Sequence, residues 1–211
     1  MTVEELIWDM DGTLLDTTTV VPAAFVRSVR TLGGPVIDAN DVVGAYWRGT
    51  PEVILEHLVG RPLEGSETEV YYLELAGVEV APYPGVADVF AALRARGRAV
   101  AVFTGNSSRA AEALLRSAGL HADVLIGGDH VSRPKPAPDG ILLTAAELGT
   151  DPVHVAYIGD SPLDLRAAAA AGSRGAAAAW GHLCDQAEHA DVVLSGPLQA
   201  LDLLSTESIV V

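Results

Sequence analysis

Residues 5–16 read ELIWDMDGTLLD, a short apolar run that is followed at once by two acids and a glycine. A short apolar run bounded by turn residues is typical of a strand that is buried on both faces of a sheet. Asp9 and Asp11 follow this strand, and their two-residue separation in an extended segment lets both carboxyl groups leave the strand end toward one site. The segment therefore predicts a first strand with a pair of acids at its carboxyl end.

The next part of the chain, from about residue 20 to residue 80, has a helical pattern and no predicted strand. Each helix has a start signal such as Asp38 or Thr50-Pro51, and glycines such as Gly60 and Gly77 end two of them. The predicted helices cover residues 22–32, 38–46, 51–60 and 67–76. This segment therefore predicts a helical insertion after the first strand.

Beyond Pro84 the pattern changes to strands that alternate with helices of about ten residues, which is typical of βαβ units and a parallel sheet. The predicted strands are 99–103, 123–126, 154–158, 175–179 and 191–194, and the predicted helices are 86–95, 107–119, 139–148, 162–171 and 197–204. The fold class is therefore predicted as α/β, a doubly wound parallel sheet. A Rossmann-like core would comprise 1–16 and 83–211, with 17–82 as a small all-helical cap domain.

Charge and cysteine content argue against several classes of protein. The 211 residues carry a formal net charge of −15, which disfavours nucleic acid and anionic membranes as partners because both are negatively charged. Cys184 is the only cysteine, so no intrachain disulfide can form. No signal peptide and no apolar stretch of about 18 residues are recognisable, so we expect a cytoplasmic protein without a membrane span.

Polar residues lie at four positions along the same edge of the predicted sheet. Besides the acids after the first strand, they are Thr104-Gly105-Asn106, Lys135, Asp160 and Asp164. Ligands of doubly wound sheets bind at the carboxyl ends of the strands. Crowded carboxylates need a cation, and oxygen ligands suit Mg²⁺, whereas a hydroxyl, an ammonium group and backbone N–H groups suit a phosphate. Lys135 is notable because the other 12 basic residues are all arginine.

The order of these motifs resembles a known family. Asp-Met-Asp-Gly-Thr-Leu-Leu-Asp at 9–16, then Thr104, Lys135 and Gly-Asp-Ser-x-x-Asp at 159–164, is similar to the haloacid dehalogenase superfamily of phosphotransferases. The resemblance covers essentially the whole chain, including the helical insertion. It points to the branch of phosphoglycolate phosphatases and beta-phosphoglucomutases that carry a helical cap.

The resemblance implies a role for each acid. Asp9 would be the nucleophile that forms an aspartyl phosphate, and Asp11 the general acid and base. Mg²⁺ would be bound by Asp9, the backbone carbonyl of Met10 and Asp160, with Asp11 counted in the same group. Asp164 would help to hold the metal or its bound waters without being one of the direct ligands. Asp160 and Asp164 also have a structural interpretation, since both stand where helix caps and first turns favour acids.

The resemblance also implies how a phosphoryl group is bound. Thr104 would donate a hydrogen bond to it, and Lys135 would pair with both Asp9 and the phosphate. Backbone N–H groups at Gly12, Gly105 and Asn106 would complete this phosphate site. The expected substrate is a small phosphorylated metabolite. In the cap, Arg48 is our hypothesis for a side chain that binds an anionic group of the substrate.

Alternatives to a Mg²⁺-dependent phosphatase remain open at this point. A phosphomutase of the beta-phosphoglucomutase type needs basic cap residues, which Arg48 and other arginines supply, but the lysine typical of such caps is missing. A receiver-like phosphoacceptor that is not an enzyme would have no helical cap. The histidines are interpreted as structural or surface residues; Trp180-Gly181-His182 after the last strand is interpreted as loop packing, with an active-site contact as the alternative. A monomer or a homodimer is expected.

Overall fold

The computed structural model describes residues 2–185 and 187–205, so residues 1, 186 and 206–211 of the predicted core lie outside the described residues. The described strands form one six-stranded parallel sheet in the order β3-β2-β1-β4-β5-β6. They are β1 Glu5–Trp8, β2 Ala101–Phe103, β3 Val124–Ile126, β4 Val155–Gly159, β5 Arg174–Ala178 and β6 Val192–Leu194. The predicted α/β class with a parallel sheet and a helical insertion after the first strand is confirmed.

Strand β1 occupies the middle of this sheet and is covered on both faces. Ile7 pairs in register with Ala101 of β2 and with Tyr157 of β4. Because successive side chains of a strand point to opposite faces, Ile7 joins one hydrophobic cluster and Trp8 the other, and both are fully buried. The apolar run before Asp9 therefore anchors the two acids on a buried strand in the middle of the sheet.

The helices form two groups according to their position in the chain. Five lie between β1 and β2, namely α1 Val20–Thr31, α2 Ala39–Val43, α3 Pro51–Val59, α4 Glu69–Leu75 and α5 Val86–Ala95. The others are α6 Ser108–Ser117, α7 Asp139–Glu147 and α8 Pro162–Ala171. Helix α1 packs on α2, α3 and α4, whereas α5 packs on the segment 197–203 of the core.

None of the described helices is long and apolar enough to cross a membrane. The boundaries 17–82 for the cap stay a prediction.

Two predicted helices differ in the structure. The helix expected over 38–46 ends at Val43, and Tyr46–Arg48 forms a separate 3₁₀ turn. Asp38 does cap α2, since its side chain accepts from the N–H groups of Asn40 and Asp41. The helix expected over 197–204 is a 3₁₀ helix, Pro197–Leu203, with a bond from Gln199 N to Gly196 O that spans three residues. The apolar pattern does not separate these two kinds of helix in short segments.

The inserted helices are held against the core by polar contacts beside the carboxyl edge of the sheet. Arg109 of α6 makes a two-pronged ion pair with Glu69 of α4, at 2.6 and 2.7 Å. Nearby, the Tyr72 hydroxyl lies 2.8 Å from Ser107 Oγ. Ser107 also caps α6 by accepting from Ala110 N. These contacts connect the inserted helices to the residues that immediately follow Thr104-Gly105-Asn106.

Candidate active site

Asp9 stands at the carboxyl end of β1 and is 5% exposed. Its backbone N–H donates to the Ile158 carbonyl of β4 at 2.8 Å, which continues the ladder between the two strands. The chain then turns sharply, because the Met10 carbonyl accepts from the N–H groups of Leu14 and Leu15 at 2.9 and 3.0 Å. Sheet pairing thus fixes Asp9, and the turn that follows brings Asp11 back over the same edge.

Lys135 reaches this edge from the loop before α7. Its Nζ lies 2.6 Å from Asp9 Oδ1 and 2.7 Å from Asp164 Oδ1. The ammonium group also lies 5.1 Å from the ring centre of Phe103 and 5.3 Å from that of Tyr157. A cation enclosed by two carboxylates and two aromatic faces is held in one position. The only lysine of the chain therefore bridges two acids at the centre of the site.

Three buried acids form a group that suits a divalent cation. Ligand oxygens of Asp9, Asp160 and Asp164 all lie within 4.8 Å of one another. Asp160 Oδ2 accepts from Leu183 N at 2.9 Å, and Asp164 Oδ2 accepts from Ser161 Oγ at 2.7 Å. These bonds orient the carboxylates; both oxygens of Asp164 already accept hydrogen bonds, so Asp9 and Asp160 have more capacity for a ligand. An all-oxygen donor set of this kind fits a hard cation such as Mg²⁺.

Glycines make room for these acids. A Cβ on Gly12 would lie 2.4 Å from Asp160 Oδ2, and one on Gly181 would lie 2.1 Å from Asp160 Cβ. Gly12 also has φ +79°, which side chains rarely adopt. A Cβ on Gly159 would similarly lie 2.4 Å from Asp164 Cβ. The backbone therefore surrounds the acids so closely that only glycine fits at these three positions.

Burial and crowding shift the titration of the acids. Burial raises the pKa of Asp9 well above its usual range; the Lys135 ammonium opposes this shift, and the carboxylates of Asp164 and Asp160 add to it. Burial likewise raises the pKa of Asp160, to about 7. Burial by itself lowers the pKa of Lys135, but the carboxylates of Asp164 and Asp9 raise it well above its ordinary value. The site thus contains more negative charge than its one ammonium neutralises, as a metal site requires.

Asp11 lies across the site from Lys135, next to the loop after β2. Its Oδ2 is 3.5 Å from Thr104 Oγ1 and 3.4 Å from Asn106 Nδ2. Its Oδ1 is buried and has no hydrogen-bond partner in the described part of the chain. Burial raises the pKa of Asp11, and hydrogen bonds from Thr17 and Asn106 oppose that shift. A buried carboxyl group with one free oxygen is well placed to exchange a proton with a ligand.

The predicted phosphate-binding residues are brought to one place. Thr104 N donates to the Ile126 carbonyl, which holds the loop on β3, and Asn106 N donates to Thr104 Oγ1 at 3.1 Å. Gly105 has open space where a Cβ would stand. The Gly12 N–H already donates to the Leu15 carbonyl at 2.9 Å. The loop 104–106 therefore faces Asp9 and Asp11 from the neighbouring strand.

Above these residues lies a cavity of about 190 Å³ that is closed on the far side by the inserted helices. Asp9, Asp11, Lys135 and the loop 104–106 line one end of it, and aromatic and aliphatic side chains of the helices line the other. Arg48 stands beside the cavity, outside its lining, with its guanidinium group 4.6 Å from the ring centre of Trp47. The opening thus connects the acids to a mainly apolar chamber.

Several residues of the site were not predicted from the sequence. The loop after β5 contributes directly, since Leu183 N binds Asp160 and the His182 ring lies 3.7 Å from the same carboxylate. His182 lines the cavity, which is the active-site contact that the sequence left open for this segment beside loop packing. Its position after a strand was the available signal. Tyr157 was also missed: its hydroxyl donates to Phe103 O at 2.9 Å and to Asp164 Oδ1 at 3.3 Å.

One predicted metal ligand is already engaged in the fold. The Met10 carbonyl accepts three backbone hydrogen bonds in the turn described above, from the N–H groups of Thr13, Leu14 and Leu15. A carbonyl oxygen has two lone pairs, so a cation at this oxygen would compete with bonds that shape the turn. The carboxylates of Asp9, Asp160 and Asp164 are the oxygens that the structure gathers.

Comparisons with known proteins agree with this arrangement. Residues 6–172 match the family model of haloacid dehalogenase-like hydrolases. The chain is 32% identical to the N-acetylmuramic acid 6-phosphate phosphatase of Pseudomonas aeruginosa, over 97% of this chain and 96% of that protein. It is 28% identical to the phosphoglycolate phosphatase of Aquifex aeolicus, over 94% and 95%.

A solved structure supports the same assignment. CbbY from Rhodobacter sphaeroides, in complex with phosphate, superposes with a TM-score of 0.75 at 27% identity, over 92% of this chain and 94% of that one. The chain belongs to the haloacid dehalogenase-like hydrolases. Within that family it is a phosphatase of the phosphoglycolate phosphatase and beta-phosphoglucomutase-like group, as the order of its motifs predicted.

Proposed function

We propose that this protein is a Mg²⁺-dependent phosphatase that hydrolyses a small-molecule phosphate monoester through an aspartyl phosphate on Asp9. The observation that carries the proposal is the position of Lys135, whose ammonium group contacts Asp9 at 2.6 Å beside a buried group of three acids. Relatives named for phosphoglycolate and N-acetylmuramic acid 6-phosphate support a small phosphorylated substrate.

The metal is assigned to the carboxylates of Asp9, Asp160 and Asp164, with Asp11 of the predicted group beside them. When bound, Mg²⁺ supplies positive charge that stabilises the charge of the transferring phosphoryl group. Ser161 and the Leu183 N–H hold Asp164 and Asp160 in place for this purpose. The Met10 carbonyl oxygen already accepts hydrogen bonds within the turn at 10–15. Its predicted role as a metal ligand therefore requires the cation and these N–H groups to share that oxygen.

In the first half-reaction an oxygen of Asp9 attacks the phosphorus atom and the bond to the ester oxygen breaks. Lys135 stabilises the negative charge of the attacking carboxylate and so opposes the burial that raises the pKa of Asp9. Thr104 donates a hydrogen bond to the transferring group, together with the Gly105 N–H, whereas the predicted role of the Asn106 N–H requires it to leave Thr104 Oγ1. Asp11 gives its proton to the departing alkoxide, and its raised pKa favours the protonated form that this step needs.

In the second half-reaction the aspartyl phosphate is hydrolysed. Asp11, now ionised, takes a proton from a water molecule, and the resulting hydroxide attacks phosphorus. The acyl phosphate bond breaks, Asp9 becomes a free carboxylate again, and inorganic phosphate leaves. Asp11 thus returns to its protonated state and the cycle conserves all protons. The inserted helices exclude other water from the chamber during transfer.

A phosphomutase is the second candidate, and the lining of the cavity argues against it. A mutase must hold a second phosphate while its substrate turns round, which requires cations in the cap. Among the described lining residues the only lysine or arginine is Lys135, and it already contacts two acids. A receiver-like phosphoacceptor is disfavoured because the inserted helices enclose the acids. Hydrolysis is the reaction that this geometry supports best.

The test is phosphate release from a panel of small phosphate esters, with Mg²⁺ or with EDTA, for the wild-type protein and Asp9→Asn. We expect turnover that needs Mg²⁺ and is abolished by Asp9→Asn, an isosteric change that removes the nucleophile. Thermal unfolding of both proteins controls for folding. Turnover that survives in Asp9→Asn, or a phosphoenzyme that forms on the wild-type protein and is never hydrolysed, would rule the proposal out.

A further inference from the structure

The end of the cavity that faces Asp11 is aromatic. Phe25, Tyr46, Trp47 and Tyr71 line it, and the remaining side chains there are mainly aliphatic. Phe25 and Tyr71 are stacked with ring centres 4.4 Å apart, so their positions are fixed by mutual packing. Trp47 is 60% exposed although it lines the cavity, which places it at the mouth. A ligand that enters therefore meets apolar ring faces.

The described side chains that line the same cavity offer no lysine or arginine besides Lys135 to a second anionic group. Four carboxylates line it, those of Asp9, Asp11, Asp160 and Asp164, against the one ammonium group of Lys135. The remaining ionisable base of the described lining is His182, and its ring already faces the Asp160 carboxylate at 3.7 Å. Arg48 lies outside the lining with its guanidinium group over the Trp47 ring, and its buried Nε has no hydrogen-bond partner among the described residues. A carboxylate or second phosphate in the chamber would be desolvated without a cation beside it, which is costly.

Two tyrosine hydroxyl groups belong to the aromatic end, and Thr17 and Thr18 also line the cavity. Tyr46 and Tyr71 both line the cavity, and the Tyr71 hydroxyl is buried with no hydrogen-bond partner in the described residues. A buried hydroxyl without a partner is costly, and a neutral ligand oxygen would satisfy it. Burial raises the pKa of both groups, with the Asp11 carboxylate adding to the shift, so they remain neutral donors. The chamber thus offers hydrogen bonds to an uncharged oxygen.

We propose that the preferred substrate is the phosphate ester of an uncharged alcohol with an apolar ring face, bound against Phe25, Tyr46 and Trp47 with the Tyr71 hydroxyl as its hydrogen-bond donor. This inference rests on the proposed phosphatase function and narrows its substrate class. The volume of the cavity is consistent with this substrate class. An apolar cavity of roughly 150 Å³ accepts benzene, and this cavity has about 190 Å³. A single ring beside the phosphoryl group fills the chamber.

The first test uses a matched pair of esters, benzyl phosphate and 4-carboxybenzyl phosphate, which differ only in one ionised group far from the reacting bond. We expect kcat/KM to be at least tenfold higher for benzyl phosphate, and higher than for phosphoglycolate. Equal or higher efficiency with the carboxylate ester or with phosphoglycolate would overturn the inference while leaving the phosphatase proposal intact. Absence of Asp9-dependent turnover on every ester would overturn both.

Variants of the chamber provide the second test. Trp47→Ala should raise KM for benzyl phosphate at least fivefold and leave KM for acetyl phosphate, which has no ring, within twofold. Val43→Arg places a cation in the lining and should shift the ratio of the two efficiencies at least fivefold toward 4-carboxybenzyl phosphate. Leu73→Arg is the control, because Leu73 is 70% exposed and outside the described lining.

The opposite results identify the competing explanation. If Trp47→Ala raises KM equally for benzyl phosphate and acetyl phosphate, the aromatic end does not bind the ring and the inference is wrong. If Arg48→Ala removes activity on 4-carboxybenzyl phosphate alone, Arg48 binds an anionic group and the chamber is not selective for uncharged alcohols. Circular dichroism and thermal unfolding of each variant separate these outcomes from loss of fold.

Discussion

Lys135 Nζ lies 2.6 Å from Asp9 Oδ1 although 126 residues separate the two in the chain. The same nitrogen lies 2.7 Å from Asp164 Oδ1, so one ammonium group connects the proposed nucleophile to the group of acids assigned to the metal. All three side chains are at least nine-tenths buried. Removal of this ammonium would leave buried carboxylates without a counter-charge, which makes the pair a sensitive point for both activity and stability.

Substitution of Lys135 tests that role. Lys135→Met should lower kcat by at least about 10²–10³-fold, the usual cost of losing one charge-stabilising donor. Lys135→Arg should lose at least about tenfold even though it keeps the charge, since a planar guanidinium does not replace a compact ammonium between Phe103 and Tyr157. Steady-state kinetics at saturating Mg²⁺ measure both. Full activity of Lys135→Arg would show that charge alone matters here.

Asp11 should separate the two half-reactions. Asp11→Asn cannot donate or accept the proton, so overall turnover should fall by about 10²–10⁴-fold. With an ester whose leaving group needs no proton, such as 2,4-dinitrophenyl phosphate, the first step should survive and the phosphoenzyme on Asp9 should accumulate. Acid-quenched samples analysed by mass spectrometry would reveal it. If the variant hydrolyses such an ester at the wild-type rate, Asp11 does not activate the water.

Metal binding should change the pH dependence of stability. The pKa of Asp160 is about 7 in the folded protein, against about 3.9 in an unfolded chain. Between these values the folded state binds more protons, so the metal-free protein should lose stability as pH rises from about 4 to 7. Mg²⁺ binds the ionised form and should therefore raise the melting temperature more at pH 8 than at pH 5.

Thermal unfolding in EDTA and in Mg²⁺ across this pH range measures the effect. Asp160→Asn is the matched control, since it has the same size and cannot titrate. It should flatten the slope in EDTA and reduce the Mg²⁺-dependent shift. An identical Mg²⁺ shift at both pH values in the wild-type protein would contradict the prediction.

The contact between Glu69 and Arg109 should influence substrate binding more than stability. Both side chains are about half exposed, so solvent screens the pair and it should contribute little to folding. It connects α4 to α6 next to the loop 104–106, so Glu69→Gln should raise KM about two- to fivefold through a less closed cap. Glu112→Gln is the control, because Glu112 pairs with Arg116 within α6 on an exposed surface. Equal effects of both changes would exclude a specific role of the bridge.

The loop after β5 should prove essential for metal binding. A Cβ added to Gly181 would lie 2.1 Å from Asp160 Cβ and 2.6 Å from the Gly12 carbonyl, so Gly181→Ala must displace Asp160. We expect its affinity for Mg²⁺, measured from the metal dependence of turnover, to fall at least tenfold. Gly196→Ala has open space at its Cβ and should behave as wild type. Unchanged affinity in Gly181→Ala would show that Asp160 tolerates displacement.

Much of the fold was predictable because its signals are local. The apolar run before Asp9 predicts β1, and the alternation after Pro84 predicts the other strands to within two residues at each end. Periodicity and caps depend on neighbours in the chain, so they can be read without tertiary contacts. The same approach was less successful at Tyr46–Arg48 and Pro197–Leu203, where short apolar patterns do not distinguish helix types.

The amino-acid sequence by itself determined that acids, a hydroxyl and one lysine stand at the ends of parallel strands, and hence that a phosphoryl-transfer site forms there. Only the tertiary structure decided that Lys135 contacts Asp9 and Asp164 together, that the turn occupies the Met10 carbonyl and that the loop at Leu183 holds Asp160. It alone also revealed the aromatic end of the cavity. Contacts between distant segments depend on how helices and loops pack, and side-chain packing is not encoded in the local periodicity of any one of them.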